Sequence, residues 1–140
     1  MRRGQVAIEF IAVFALVFII FIFMQFNIFT WTDNLGDNAA SINANNLVTE
    51  VTSLTESTSI YSNFNSKFEL PSFLAGGFNY NLGFANSSIY LTWNGTHGRV
   101  RTIARQTSVF NVTNSTGSAF FTIAKGTRSI SRTSTGVVIS

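Results

Sequence analysis

From Phe10 to Met24 the chain carries no polar side chain, and neither glycine nor proline interrupts residues 5–35. Such a run must be removed from water, and with no helix breaker in it the expected form is a helix. As an α-helix, Gln5 to Trp31 measures roughly 40 Å, more than the hydrocarbon core of a bilayer. Arg2 and Arg3 stand immediately before the run. By the positive-inside tendency they hold the N-terminus in the cytoplasm and send the rest of the chain outside. Trp31 falls where an outer interfacial aromatic belongs. The segment reads as a membrane span.

Two plainer readings compete with a functional span. A secretory signal peptide has an apolar stretch of about 7–15 residues followed by a small-residue cleavage site. Here the stretch is longer and no A-x-A-like site follows it. A simple N-terminal anchor must account for Glu9, a carboxylate one turn inside the apolar segment. Ionisable groups within spans are costly and tend to be functional, although a place near the interface lowers the cost.

The residues Arg2-Arg3-Gly4-Gln5-Val6-Ala7-Ile8-Glu9-Phe10 resemble the class III signal sequence of archaeal type IV pilins. In that family a basic stretch ends in glycine, and a membrane aspartate peptidase cuts just after it. The mature chain begins with Gln and carries Glu as its fifth residue, ahead of the hydrophobic helix. Gly4, Gln5, Ala7 and Glu9 match in order and spacing. Archaellins are similar in plan but usually lack this Gln-x-Ala/Ser-x-Glu pattern. The resemblance implies a leader of residues 1–4 and a cut between Gly4 and Gln5. It further implies a homopolymeric helical filament in which Glu9 pairs with the Gln5 amine of a neighbouring subunit. The partners it implies are a prepilin peptidase, an assembly ATPase and a membrane platform protein.

Cleavage on the cytoplasmic side would remove the arginine charges that hold the helix and leave the span intact. Pairing of Glu9 would offset the desolvation that penalises an isolated carboxylate. Seven of the 15 phenylalanines lie in this helix. Phe10, Phe14, Phe18 and Phe21 follow i+4 and i+3 spacing and form one stripe, a candidate packing seam of the filament core. A chain of aromatics for electron conduction has little support beside that reading.

Residues 33–62 read as an amphipathic continuation, with Leu35, Ala39, Ile42, Leu47, Val51, Leu54 and Tyr61 as its apolar stripe. Asp37, Ser41, Asn45, Thr49, Thr52 and Glu56 lie elsewhere around the wheel. Asp33 and Asp37 are candidates to start or cap this part, and Gly36 is a candidate bend. The alternative is two separate helices. Beyond residue 63 the helical signal fades, and Pro71 and Gly76-Gly77 mark loops. Short alternating segments follow at 78–85, 87–93, 99–104, 108–112, 119–124 and 137–139. In the second, Ile89, Leu91 and Trp93 face one way. Asn94-Gly95 reads as a hairpin turn into the third. The predicted fold is α+β. Its stem helix (5–62; 5–31 apolar, 33–62 amphipathic) packs against a small antiparallel β head (66–140), a curled sheet or sandwich.

The head holds four N-x-Ser/Thr sequons, at Asn86, Asn94, Asn111 and Asn114. Their confinement to the part expected outside fits surface N-glycosylation. No acidic residue follows Glu69, whereas Arg99, Arg101, Arg105, Lys125, Arg128 and Arg132 do. Two readings are open: a basic surface that attracts anionic cells, surfaces or DNA, or solvated charges partly paired with Glu50, Glu56 or Glu69 of other subunits. A formal net charge of +3 without a concentrated patch does not describe a nucleic-acid binder.

Charged residues are 11% of the chain, against roughly 25% in ordinary globular domains. With no cysteine, neither disulfides nor thiolate metal sites arise. The six acids are scattered, no P-loop or dinucleotide fingerprint occurs, and no nucleophile elbow surrounds any serine. The single His97 lies in a Gly95–Gly98 turn region without a neighbouring acid in sequence. No cofactor, metal or enzymatic activity is expected. The leading expectation is an adhesion-filament subunit, in the membrane first and then extracellular, with host or abiotic surfaces as candidate targets. The rivals are a minor pilin that captures a ligand and an uncleaved single-pass receptor.

Overall fold

The computed structural model describes the backbone of residues 2–61, 64–109, 111–134 and 136–140, with their side chains from residue 7 onward. The fold is α+β: one long helix, α1 (Arg2–Ile60), packs against two four-stranded sheets. The chain forms two compact units, the first ending at Leu35 and the second spanning Gly36–Ser140. A single α-helix runs through Gly36, in place of two separate helices.

In the second unit α1 buries Asp37, Ala40, Ala44, Leu47, Val48, Val51, Thr55 and Thr58. Their i+3 and i+4 spacing makes one helical face. This corrects the expected stripe, of which Leu35, Ile42 and Tyr61 are exposed. The reason is chemical. Thr55 Oγ1 donates to Val51 O at 2.7 Å and Thr58 Oγ1 to Leu54 O at 2.7 Å. With its hydroxyl satisfied by the helix itself, each threonine turns a methyl to the core and behaves as a small apolar residue. Ala40 and Ala44, both fully buried, belong to the same core cluster as the inward side chains of the sheets.

The strands are β1 (Asn65–Leu70), β2 (Tyr80–Ala85), β3 (Ser88–Asn94), β4 (Val100–Gln106), β5 (Val112–Asn114), β6 (Phe120–Ile123), β7 (Gly126–Thr133) and β8 (Gly136–Ile139). One sheet has the order β1-β7-β8-β5 and the other β4-β3-β2-β6. All pairings are antiparallel except β5–β8, which is parallel. The first sheet is therefore mixed, where a purely antiparallel head was expected. Ile89, Leu91 and Trp93 do share the buried face of β3, opposite Phe84, Leu82 and Tyr80 of β2. Phe84 stacks on Phe121 at 4.9 Å between centroids. These residues, the helix alanines and valines, and Phe68, Leu70, Val112, Ile130, Val137 and Ile139 of the first sheet form one core.

Two local features hold the head in register. Tyr80 is buried at the floor of the second sheet, and its hydroxyl donates to Pro71 O at 2.7 Å. Burial pushes its pKa up to about 12. Gly136 opens β8 at φ 156° where it passes Asn111, whose carbonyl accepts from Val137 N at 3.2 Å. A Cβ on Gly136 would collide with that carbonyl. Gly136→Ala should therefore cost about 2 kcal/mol or more by parting β5 from β8. The shift of the chemical-denaturation midpoint measures it.

Candidate functional site

The first unit is helix alone, and its apolar side chains touch no other element of that unit. Phe10, Phe14, Phe18 and Phe21 are 71%, 64%, 57% and 56% exposed. Every other large apolar residue described between Ile8 and Trp31 is exposed as well. α1 contains a window with mean hydropathy 2.9, none of it buried, long and apolar enough to cross a membrane. The helical geometry does place the four phenylalanines on one face.

The polar residues within this stretch divide into two kinds. Asn27 Nδ2 donates to Phe23 O at 2.9 Å and Thr30 Oγ1 to Phe26 O at 3.0 Å. Folded back on the helix in this way, Thr30 has its hydroxyl proton satisfied and Asn27 one of its two amide N–H groups. Glu9 and Gln25 form no hydrogen bond or ion pair among the described residues. An apolar medium penalises both groups until a partner pairs them. The side chains of Gly4 and Gln5, at the expected cleavage point, lie outside the described residues.

A second constellation ties α1 to the second sheet within the head unit, and the sequence did not announce it. Asp37 Oδ1 accepts from Thr96 N at 2.9 Å and from Thr96 Oγ1 at 3.0 Å. Its Oδ2 accepts from Arg101 Nη2 at 2.8 Å. The Thr96 amide above all, then the Thr96 hydroxyl and the Arg101 guanidinium, hold the carboxyl below its ordinary 3.8, against the opposing effect of burial. Asp37 thus starts no helix; it clamps the β3–β4 connection to one. That connection is a five-residue loop over 95–99, not a two-residue hairpin turn: Asn94 pairs with Val100, and Gly95 N donates to Arg99 O at 2.8 Å. Gly95 is extended at φ −74°. Glycine leaves room there for the clamp, since a Cβ would lie 3.0 Å from Asp37 Oδ1 and the carboxylate would have to shift by a few tenths of an ångström.

A carboxyl with a lowered folded-state pKa contributes stability that is present above its unfolded value and is lost as pH falls through the folded one. Acid should therefore loosen the head below pH 3.8. Asp37→Asn should lower Tm by several degrees at neutral pH and flatten the acid limb, as followed by thermal melts of the detergent-solubilised chain.

The basic residues of the head are spent mostly inside it. Arg101 takes Asp37, and Arg105 Nη2 donates to Asn45 Oδ1 at 3.2 Å. Both stand with Ile103 on the face of β4 turned to the helix, while Arg99 precedes the strand. Arg128 Nε donates to Ala124 O at 2.8 Å. Glu56, an expected partner for arginines of other subunits, accepts from Ser108 N at 3.1 Å. His97 sits in the turn of the 95–99 loop at φ 63°.

The sequon asparagines lie in turns and strand ends. Asn86, Asn94 and Asn111 are exposed. Asn114 is half-buried, and its Oδ1 accepts from Thr116 N, Thr116 Oγ1 and Ser118 N at 3.1, 2.7 and 2.8 Å. That turn leaves its Nδ2 as the free end of the amide. No protein-family model, no curated protein and no solved structure matches the chain.

Proposed function

We propose that the chain is a structural subunit of a type IV pilus-like adhesion filament, inserted in the membrane as a precursor and assembled through α1. The observation that carries this reading is the uncovered apolar helix. A surface of that extent is stable only in lipid or against other helices, and the segment ahead of it supplies a processing signal rather than a plain anchor. Before assembly lipid covers Phe10, Phe14, Phe18 and Phe21; in the filament the same residues of neighbouring subunits cover one another. Glu9, without a partner among the described residues, meets the amine that cleavage exposes on Gln5 of a neighbour. The head stays outside, and glycans on Asn86, Asn94, Asn111 or Asn114 would coat it.

N-terminal sequencing of the chain from its native membrane or surface fraction is the test. A mature chain beginning at Gln5 is the expected result. One that begins at Met1 or Arg2 rules out processing and leaves an uncleaved single-pass protein.

A further inference from the structure

The outer face of the second sheet carries a groove at one end, about 320 Å³ in volume. Each strand contributes in turn: Val100 from β4, Thr92 and Asn94 from β3, and Asn81 from β2, with Lys125 two residues beyond β6. The buried rings of Tyr80 and Trp93 stand beneath it. The amides of Asn81 and Asn94 and the hydroxyl of Thr92 make no hydrogen bond to another described residue. A row of neutral donor–acceptor groups therefore faces the groove with nothing of the chain's own to bind.

Lys125 gives the groove its sign. Its Nζ donates to Asn79 Oδ1 at 2.9 Å and lies 5.0 Å from the Phe73 ring centroid and 5.3 Å from that of Tyr80. No carboxylate among the described residues pairs with it. An ammonium fixed by an amide and two ring faces has already given up most of its freedom, so an arriving anion is spared that ordering cost. An ordinary surface lysine resting on aromatic rings would show the same cation–π contacts. What differs here is the convergence of this fixed charge with three unpaired neutral groups in a single concavity.

We propose that this groove binds one carboxylate-bearing sugar, a hexuronate. In chains whose Asn94 carries no glycan, Lys125 pairs with the carboxylate, Asn81, Thr92 and Asn94 hold ring hydroxyls, and Val100 meets the apolar face of the ring. The volume sits at the lower end of small-ligand sites, about 300–1,000 Å³, which suits a single sugar better than an extended chain. The groove is open, so affinity is millimolar, and repetition over many subunits would supply the avidity that one site lacks. This inference does not depend on filament assembly, since the groove is complete within one head.

The test is saturation-transfer NMR on the full chain in detergent micelles, made in a host without N-glycosylation so that no glycan on Asn94 covers the groove. Glucuronate, glucose and acetate are the probes, each at millimolar concentration. Glucuronate is expected to bind more tightly than either control. Lys125→Met should weaken it about tenfold or more, the worth of one charge-assisted hydrogen bond. Lys125→Arg should retain binding, and Asn81→Leu should weaken glucuronate and glucose together. Because Lys125 and Asn81 are exposed, circular dichroism should show these variants folded. No transfer to glucuronate, an unchanged affinity in Lys125→Met, or acetate binding as tight as glucuronate would each overturn the proposal; the last would reduce the site to a general anion contact.

Discussion

Phe84→Ala should destabilise the head by about 3–5 kcal/mol, the range for removing a fully buried aromatic. Phe84 is 1% exposed, lies between β3 and β6 on the inner face of β2, and stacks on Phe121. Truncation leaves a cavity at the centre of the second sheet and strands the Phe121 ring, which loses its partner as well as its packing. A domain of ordinary stability holds only about 5–15 kcal/mol in total, so the loss removes a large part of it. Urea titration followed by Trp93 fluorescence, in a Trp31→Phe background, measures the change. A loss below about 1 kcal/mol, typical of a substitution away from the core, would show that Phe84 is not the packing centre assigned to it. In a double-mutant cycle with Phe121→Ala, the stacked pair should account for about 0.5–1.5 kcal/mol of coupling.

Glu9→Gln should separate insertion from assembly. The substitution makes the helix more apolar, so the amount of precursor recovered in the membrane should be unchanged or higher. On the proposed filament reading, yield after shearing should fall about tenfold or more, because the neighbour's amine would be left buried without its counter-charge. On the same reading the pairing sets axial register, since loss of one partner is costly even where the intact pair adds little net stability. Normal filaments from this variant would sink the register idea. A precursor that fails to insert would place the role of Glu9 at the membrane instead.

The long helix was legible because nothing in residues 5–35 offered the backbone any other course. The phase of its second half was not. Thr52, Thr55 and Thr58 look polar in a sequence, yet in the helix each donates its hydroxyl to a carbonyl one turn back and is buried with the valines. β2 and β3 were readable from their alternation. β1 and β7 were not, since Phe68 and Leu70 on one and Ile130 on the other are all that each sends to the core. Asn94-Gly95 carried a turn signal, but Asn94 is still in β3, paired with Val100, and Gly95 instead lies close against Asp37. Asp37 itself left one trace, its place three residues before Ala40 and seven before Ala44 on the buried face. The Lys125 groove left none. It exists only once β4, β3, β2 and β6 lie side by side, an adjacency that the order of residues along the chain does not state.

The strand order also sets the sequence of events during folding. β2, β3 and β4 are neighbours in the chain and in the sheet, so they can pair as soon as they are made. β1 has no such neighbour; its partner is β7, and β5 waits for β8. Contacts this distant in sequence are slow to form because the intervening chain must first be closed into a loop. For that interval the head is half-built, with β1 presenting an unpaired edge. Such an intermediate is prone to wrong pairing with its own kind. Pairing of β7 with β1 and of β8 with β5 is what closes the first sheet, so these two late strands end the exposure of the β1 edge.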